Sequence, residues 1–304
     1  MGATRERGLM PAKRLALHRL RALVCLLSVS VLRAAQGAPA QETATRGLLS
    51  ADQAQTLVSR ALANELRAAR DTSHPMRYRL EKSSPRLTTT KAIIETRDGA
   101  VARLVSINGN PLSPADDRKE QSRLDALMAN PDLQRHRKQG EDSDTGRALK
   151  VLRALPRAFL YQYTGAADTP AGVVEKFTFK PDPAFNPPDL ETEVLTAMTG
   201  EIWIDQAHER VTHLEGHLDA NVDFGWGVLG ELYRGGWVAI DQADVGGGQW
   251  RTVRFQMRMS GRVFFRTRIF DTTEEETGFE PVQAGLGYAQ AIQMLLSDAN
   301  GTVQ

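Results

Sequence analysis

The chain has a single cysteine, Cys25, in 304 residues. Everything beyond it can form no disulfide and no thiolate metal site, and offers no cysteine nucleophile. Net charge is nearly absent too: 38 Lys and Arg stand against 37 Asp and Glu. That balance excludes a nucleic-acid binder working through a basic surface. No apolar run approaches the roughly 18 to 20 residues that a membrane-spanning helix needs. Gly-x-Ser-x-Gly and His-Glu-x-x-His are both missing, so an enzyme has no positive support and no cofactor or metal is expected. What remains, 41% hydrophobic and 25% charged, reads beyond its N-terminus as a soluble globular chain.

The neutral balance hides an asymmetry. Residues 1–37 hold seven basic side chains and one acid, Glu6, and without them the net charge changes from +1 to −5. Ala22 to Leu32 is a short apolar stretch behind that basic flank, followed by the small residues Ala35 and Gly37. This is the pattern of a signal peptide cleaved after Gly37, with a retained anchor as the weaker alternative because the stretch is too short to span a bilayer. Either Met1 or Met10 serves as its start. The expected location is periplasmic or otherwise exported, soluble after cleavage.

Residues 38–48 read as a polar linker. Ser50 with Gln53 three places on forms a capping box, and Ala54, Leu57, Val58, Ala61, Leu62 and Leu66 recur at helical spacing to about Arg70. After Pro75 the period becomes two: Met76, Tyr78 and Leu80 alternate with Arg77, Arg79 and Glu81. Residues 87–97 and 100–107 flank Asp98-Gly99, a hairpin turn. Later strands carry Phe159, Tyr161, Tyr163; Val173, Phe177, Phe179; Val253, Phe255, Met257, Met259; and Val263, Phe265, Thr267, Ile269. Apolar residues separated by polar ones indicate an antiparallel sheet with one dry face. Between early and late strands, residues 108–156 are charged and helical: Ser113-Pro114 opens one helix, Asn130-Pro131 stops it, 132–146 form a mobile connector, and Ser143 caps a second helix ending before Pro156. One domain over 49–282 with a tail at 283–304, helical near Ala289 to Ser297, completes the expected organisation.

That order, with Gly200-Glu201-Ile202-Trp203-Ile204-Asp205 turning into a hairpin, the strand from Arg210 to Leu218, and a final strand pair carrying Trp250 and Gly261-Arg262-Val263-Phe264-Phe265, resembles the periplasmic lipoprotein-carrier superfamily. The family includes Lol-type carriers, mycobacterial lipid carriers and RseB/MucB-like envelope sensors. The resemblance covers residues 76–280 and is nearest to uncharacterised exported bacterial members. It implies an α+β fold: a strongly curved antiparallel sheet, a half barrel, with an N-terminal helix and a helical lid at 108–156. Its concave face would hold the acyl chains of a lipid or lipoprotein, with an envelope membrane or membrane protein as a further partner. The candidate cavity residues are Tyr78, Leu80, Phe159, Tyr161, Tyr163, Phe177, Phe179, Val253, Phe255, Met257 and Phe265. Alternation alone leaves the same residues open as ordinary core. In an open groove a lysine at position 257 would reach water along its own stem.

Several other motifs have plain readings. Gly225 to Gly230 matches a dinucleotide fingerprint in letters but lacks the parallel strand, crossover helix and acid that the motif needs. It is a glycine-rich connection, or with Phe224, Trp226, Leu229 and Trp237 an apolar loop touching membrane or ligand. His213, Glu215 and His217 share one strand face, but at about 3.3 Å per residue the histidines are too far apart to share a metal and are expected to be solvated. Asp271 to Glu276 reads as a solvated acidic turn. Three functions compete: a non-catalytic exported carrier of acyl chains, an envelope sensor or protein-interaction module using the same fold without transport, and an unrecognised hydrolase.

Overall fold

The computed structural model describes residues 49–224, 230–263 and 266–301. The segments expected to be an export signal and its linker, together with Trp226, Leu229 and Phe265, lie outside these residues. Helix α1 (Ala51–Ala68) starts where its cap predicts, the Gln53 amide donating to Ser50 Oγ and the Ser50 amide to Gln53 Oε1. It buries Ala54, Val58, Ala61 and Leu62.

Strands β1 (Met76–Ser84), β2 (Leu87–Ile94), β3 (Val101–Ile107) and the short β4 (Asn110–Pro111) follow, then helices α2 (Pro114–Ala129) and α3 (Pro131–Ala158). Strands β5 (Phe159–Thr169) and β6 (Gly172–Pro181) lead to the one-turn α4 (Leu190–Glu193) and a 3-10 turn at Val194–Ala197. The remaining strands are β7 (Met198–Asp205), β8 (Val211–Leu218), β9 (Val222–Phe224), β10 (Gly230–Leu232), β11 (Trp237–Asp244), β12 (Trp250–Val263) and β13 (Arg266–Pro281), and α5 (Tyr288–Gly301) ends the described chain. All pair antiparallel in one 13-stranded sheet with the order β4-β3-β2-β1-β13-β12-β11-β8-β7-β6-β5, while β10 joins β9 to β12. The architecture is α+β with an open, curved sheet.

Curvature needs close backbone approaches. Gly200 and Gly216 face each other across β7 and β8. A Cβ on Gly200 would stand 1.9 Å from the Glu215 carbonyl oxygen and meet the Phe179 ring, and one on Gly216 would collide with the Met198 sulfur. At Gly200, where the obstacle is backbone, only glycine fits; at Gly216 a side chain would require Met198 to move. The Trp-Ile-Asp segment divides by side: Ile202 and Ile204 are buried in the main core, Trp203 stacks on His213 from the other face, and Asp205 closes the turn by accepting the His208 amide at 2.7 Å.

The two sheet faces have different covers. Ile93 and Ala102 pair on one face with Tyr78 and Leu80, while their neighbours Ile94 and Val101 point the other way. Leu124 and Leu127 of α2 and Ala291, Ile292 and Leu295 of α5 pack on Ile94 and Val101. Arg103 fixes this arrangement by donating to Asp117 at 2.6 Å and to the Leu295 carbonyl. The C-terminal segment carries a helix where one is expected, near Ala289 to Ser297, and that helix is packed on the sheet. The first insertion helix lies on the face opposite Tyr78 and Leu80.

α3 corrects an expectation. Residues 132–146 are helix rather than connector: Asn130 ends α2 and caps α3, and Ser143 sits mid-helix, donating to the Gln139 carbonyl instead of capping anything. Pro156 falls inside the last turn. The amino half of α3 clasps the β2–β3 turn: Gln134 Nε2 donates to the Asp98 carbonyl, Arg137 to the Ala100 carbonyl, and the Ala100 amide donates to Glu141. Its carboxyl half buries Val151, Ala154, Leu155 and Ala158 against α1 and β5.

Candidate functional site

α1 and the carboxyl half of α3 lie over the concave face, and where their side chains stop short of the sheet they leave a cavity of about 150 Å³. Leu62 of α1, Val151, Leu152 and Leu155 of α3, Val211 and Leu214 of β8, Ile240 of β11, Phe255 of β12, and Tyr78 and Phe279 supply its apolar walls. A shallow depression lined by Asn64, Arg67 and His208 shares Ala68, Asp71 and Arg210 with the cavity, which places its mouth at the carboxyl end of α1.

One wall is held by a buried ion pair. Arg210 Nε and Nη2 donate to the two carboxylate oxygens of Glu65 at 2.8 and 2.9 Å, and Glu65 also accepts the Val211 amide and Gln242. This fork-to-fork geometry fixes α1 on β8 and β11. The Arg210 guanidinium lies 5.7 Å from the Trp250 ring, which is itself a wall residue.

Across the cavity the chemistry is acidic. β13 runs straight through the segment expected as a solvated turn. Both its neighbours pair with it, so Glu274 lies between Phe255 and Lys82, and Glu276 stands opposite Leu80. Alternation then turns Glu274 and Glu276 inward while Glu275 stays exposed. Glu95, Glu274 and Glu276 all line the cavity. Glu95 accepts the Met76 amide at 2.9 Å and Glu274 accepts from Lys82. Burial pushes the Glu276 carboxyl well above the usual carboxylate range; Glu274 and Glu95 add to the shift and Arg251 opposes it.

Among the residues expected to line the cavity, Tyr78 and Phe255 do so. Leu80 is buried with Tyr78 in the small cluster under β1. Phe159, Tyr161, Tyr163, Phe177, Phe179 and Met257 lie in the packed core. Phe159 and Phe179 are 4.4 Å apart between ring centroids and Tyr163 and Phe177 are 5.4 Å apart, with no room for a guest between them. Val253 is half-buried at a bulge: β11 pairs Asp241 with Arg254 and Gln242 with Thr252, which passes over Val253, and Thr252 reaches the cavity instead. Of the loop candidates, Phe224 packs on the rim of the main core and Trp237 is half-buried at the start of β11.

No family model and no curated protein matches the chain. Among solved structures it is similar to an outer membrane lipoprotein-sorting protein domain from Vibrio parahaemolyticus, with 10% identity, a TM-score of 0.31, and coverage of 80% of this chain and 99% of that one. A likeness this loose transfers no ligand.

His213 is the other correction. It is not solvated, since Nδ1 lies 2.7 Å from Asp241 and its ring stacks on Trp203 at 4.7 Å. Lys176 Nζ lies over the same tryptophan, 3.7 Å from its ring centroid. His217 does remain exposed, beside Glu215. Among the described residues no group of His, Cys, Asp or Glu could hold a metal ion, and no helix is long and apolar enough to cross a membrane.

Proposed function

We propose that this chain is a non-catalytic exported carrier that shelters acyl chains of a lipid or lipoprotein in the cavity beneath α1 and α3. The observation that carries this reading is the cavity itself: a space of about 150 Å³, walled by apolar side chains of α1, α3, β8, β11 and β12 and by acids across from them, in an interior that close packing would otherwise fill. An apolar cavity of that order accepts a guest the size of a benzene ring. A whole acyl chain is larger, so loading requires α3 to move away from α1. Each methylene then buried contributes about 0.8 kcal/mol.

The test is solvent extraction of the purified mature protein followed by mass spectrometry, together with titration of the neutral fluorophore N-phenyl-1-naphthylamine. Co-purified lipid and a saturable fluorescence rise are expected. A protein free of lipid that also fails to bind the fluorophore would remove the carrier reading and leave the sensor or interaction role of the same fold.

A further inference from the structure

An open sheet ends in strands whose outer amides and carbonyls lack a ladder partner, and this chain covers such groups with side chains where helices pass. At β5, Gln55 of α1 accepts the Tyr161 amide and donates to the Phe159 carbonyl, both at 3.4 Å. At β3, Glu120 of α2 accepts the Leu104 amide and Arg123 donates to the Ala102 carbonyl, both at 2.7 Å. The start of β13 is different. β1 runs beside residues 273–281 alone, and its last pair is Ser83 with Thr273. Thr272 Oγ1 still donates to the Ser83 carbonyl. Before it in the chain, residues 266–271 pair with β12 on one side, and among the described residues no strand pairs with the other side.

This open edge is also where exposed apolar and cationic side chains meet. Ile269 is 64% exposed, the highest value among the exposed large apolar side chains of the described residues, and Leu87, which pairs with Ser84 across the β1–β2 turn, is 47% exposed. Arg266 and Arg268 on the edge and Arg86 in that turn are exposed, and none has an ion-pair partner among the described residues. Asp271, the acid on this stretch, stands opposite Arg258 of β12. The alternation that turns Glu274 inward puts Arg266 and Arg268 on one side of the strand and Thr267 and Ile269 on the other. We infer that this edge accepts an extended segment of an acidic protein partner as a further strand, with acids at every second position beside Arg266 and Arg268 and β-branched side chains between them beside Thr267 and Ile269. Two-fold antiparallel pairing with a second copy would bring the arginines of both edges to the same side of the ladder, where like charges repel. An anionic lipid surface would use the cations and Ile269 but leave the open amides unpaired. The inference stands apart from what the cavity holds, since none of these residues lines it.

Amide hydrogen exchange of the whole mature protein, resolved by NMR, tests this with three capped hexapeptides. Thr-Glu-Val-Glu-Val-Thr carries the expected pattern, Thr-Lys-Val-Lys-Val-Thr reverses its charge, and Thr-Glu-Glu-Val-Val-Thr keeps the composition but loses the alternation. Near saturation the first should slow exchange within residues 266–271 by about tenfold and leave β5 unchanged, while the other two should slow it by less than about twofold. Arg266→Glu combined with Arg268→Glu should reverse the preference, so that the lysine peptide protects, with N-phenyl-1-naphthylamine binding kept at the wild-type level. The peptide comparison uses the unmodified protein and therefore stands if the double variant fails to fold. Equal protection by all three peptides, protection by none, or protection spread over other strands would overturn the inference. Protection by phosphatidylglycerol vesicles with none from the peptides would overturn it in favour of a lipid surface.

Discussion

The concave face has two ends built from the same kind of strand, and they are filled differently. Toward β5 and β6, alternate positions carry Phe159, Tyr161, Tyr163, Phe177 and Phe179, whose rings meet one another and close the space. Toward β1 and β13 the same alternation carries Tyr78 and Leu80 beside Glu274 and Glu276, with thin cover from Ala68, Ala69 and Ala148 above. An inward-facing residue becomes core or cavity wall according to what lies over it. Strand periodicity states only that the residue faces inward.

Charge insertion should separate packed core from cavity wall most strongly. Met257 is buried in the main core on β12, between Val238 of β11 and Thr272 of β13. Met257→Lys should cost several kcal/mol and unfold the domain in circular dichroism and thermal melts. Leu214→Lys, at the half-buried cavity wall, should remain folded with a loss of about 1 kcal/mol, because its stem can lead the ammonium toward the cavity acids. Equal losses would erase the distinction between core and wall.

Truncation comes next. Phe177→Ala at the filled end should lower stability by about 3 to 5 kcal/mol in urea unfolding, with no compensating space nearby. A loss below about 1 kcal/mol would mean that the aromatic end is loosely packed.

The clasp between α3 and the β2–β3 turn gives a pH-dependent effect of smaller size. Burial raises Glu141 to about 7 against an ordinary 4.5, the nearby Arg137 acting in the opposite sense. The native state then holds a proton that the unfolded chain releases near 4.5, so the stabilisation is full below that pH and is lost as pH rises toward 7. Its size is up to about 3 kcal/mol. Glu141→Gln should flatten the unfolding free energy between pH 5 and 7; an unchanged slope would assign that dependence to other groups.

A substitution inside the cavity should act chiefly on binding. Leu152→Trp projects into the cavity from α3 and should change stability by no more than about 1.5 kcal/mol, yet abolish N-phenyl-1-naphthylamine binding. Retained binding would place the guest elsewhere.

These contrasts mark how far the residues could be read without coordinates. The capping box of α1, the alternation of β1 and β5, the Asp98-Gly99 turn and the antiparallel sheet were all legible, because each is written in neighbouring residues. The amino half of α3 was not. Gln134, Arg137 and Glu141 look like a solvated polar run, and they become a helix face only because the β2–β3 turn presents bare carbonyls and an amide to them. The acidic segment of β13 misled for a related reason. Three glutamates suggest water, whereas strands on both sides impose an inward and outward alternation that overrides their preference. The bulge at Val253 shifted the cavity wall by one residue, a displacement that no periodicity can announce. Tyr78 and Phe255 could be named in advance, but the acids that give the cavity its chemistry could not.

The pairing of β1 with β13 has a consequence in time as well as in space. The strand that begins at Met76 gains one of its two neighbours from a segment that begins at Arg266. One cavity wall therefore stays absent until nearly the whole chain is present, and forming it closes a very long loop. Such non-local pairing slows folding. For a polypeptide threaded through a membrane from its N-terminus, that delay would keep the early strands extended and the greasy interior unassembled until the last strand has followed them across.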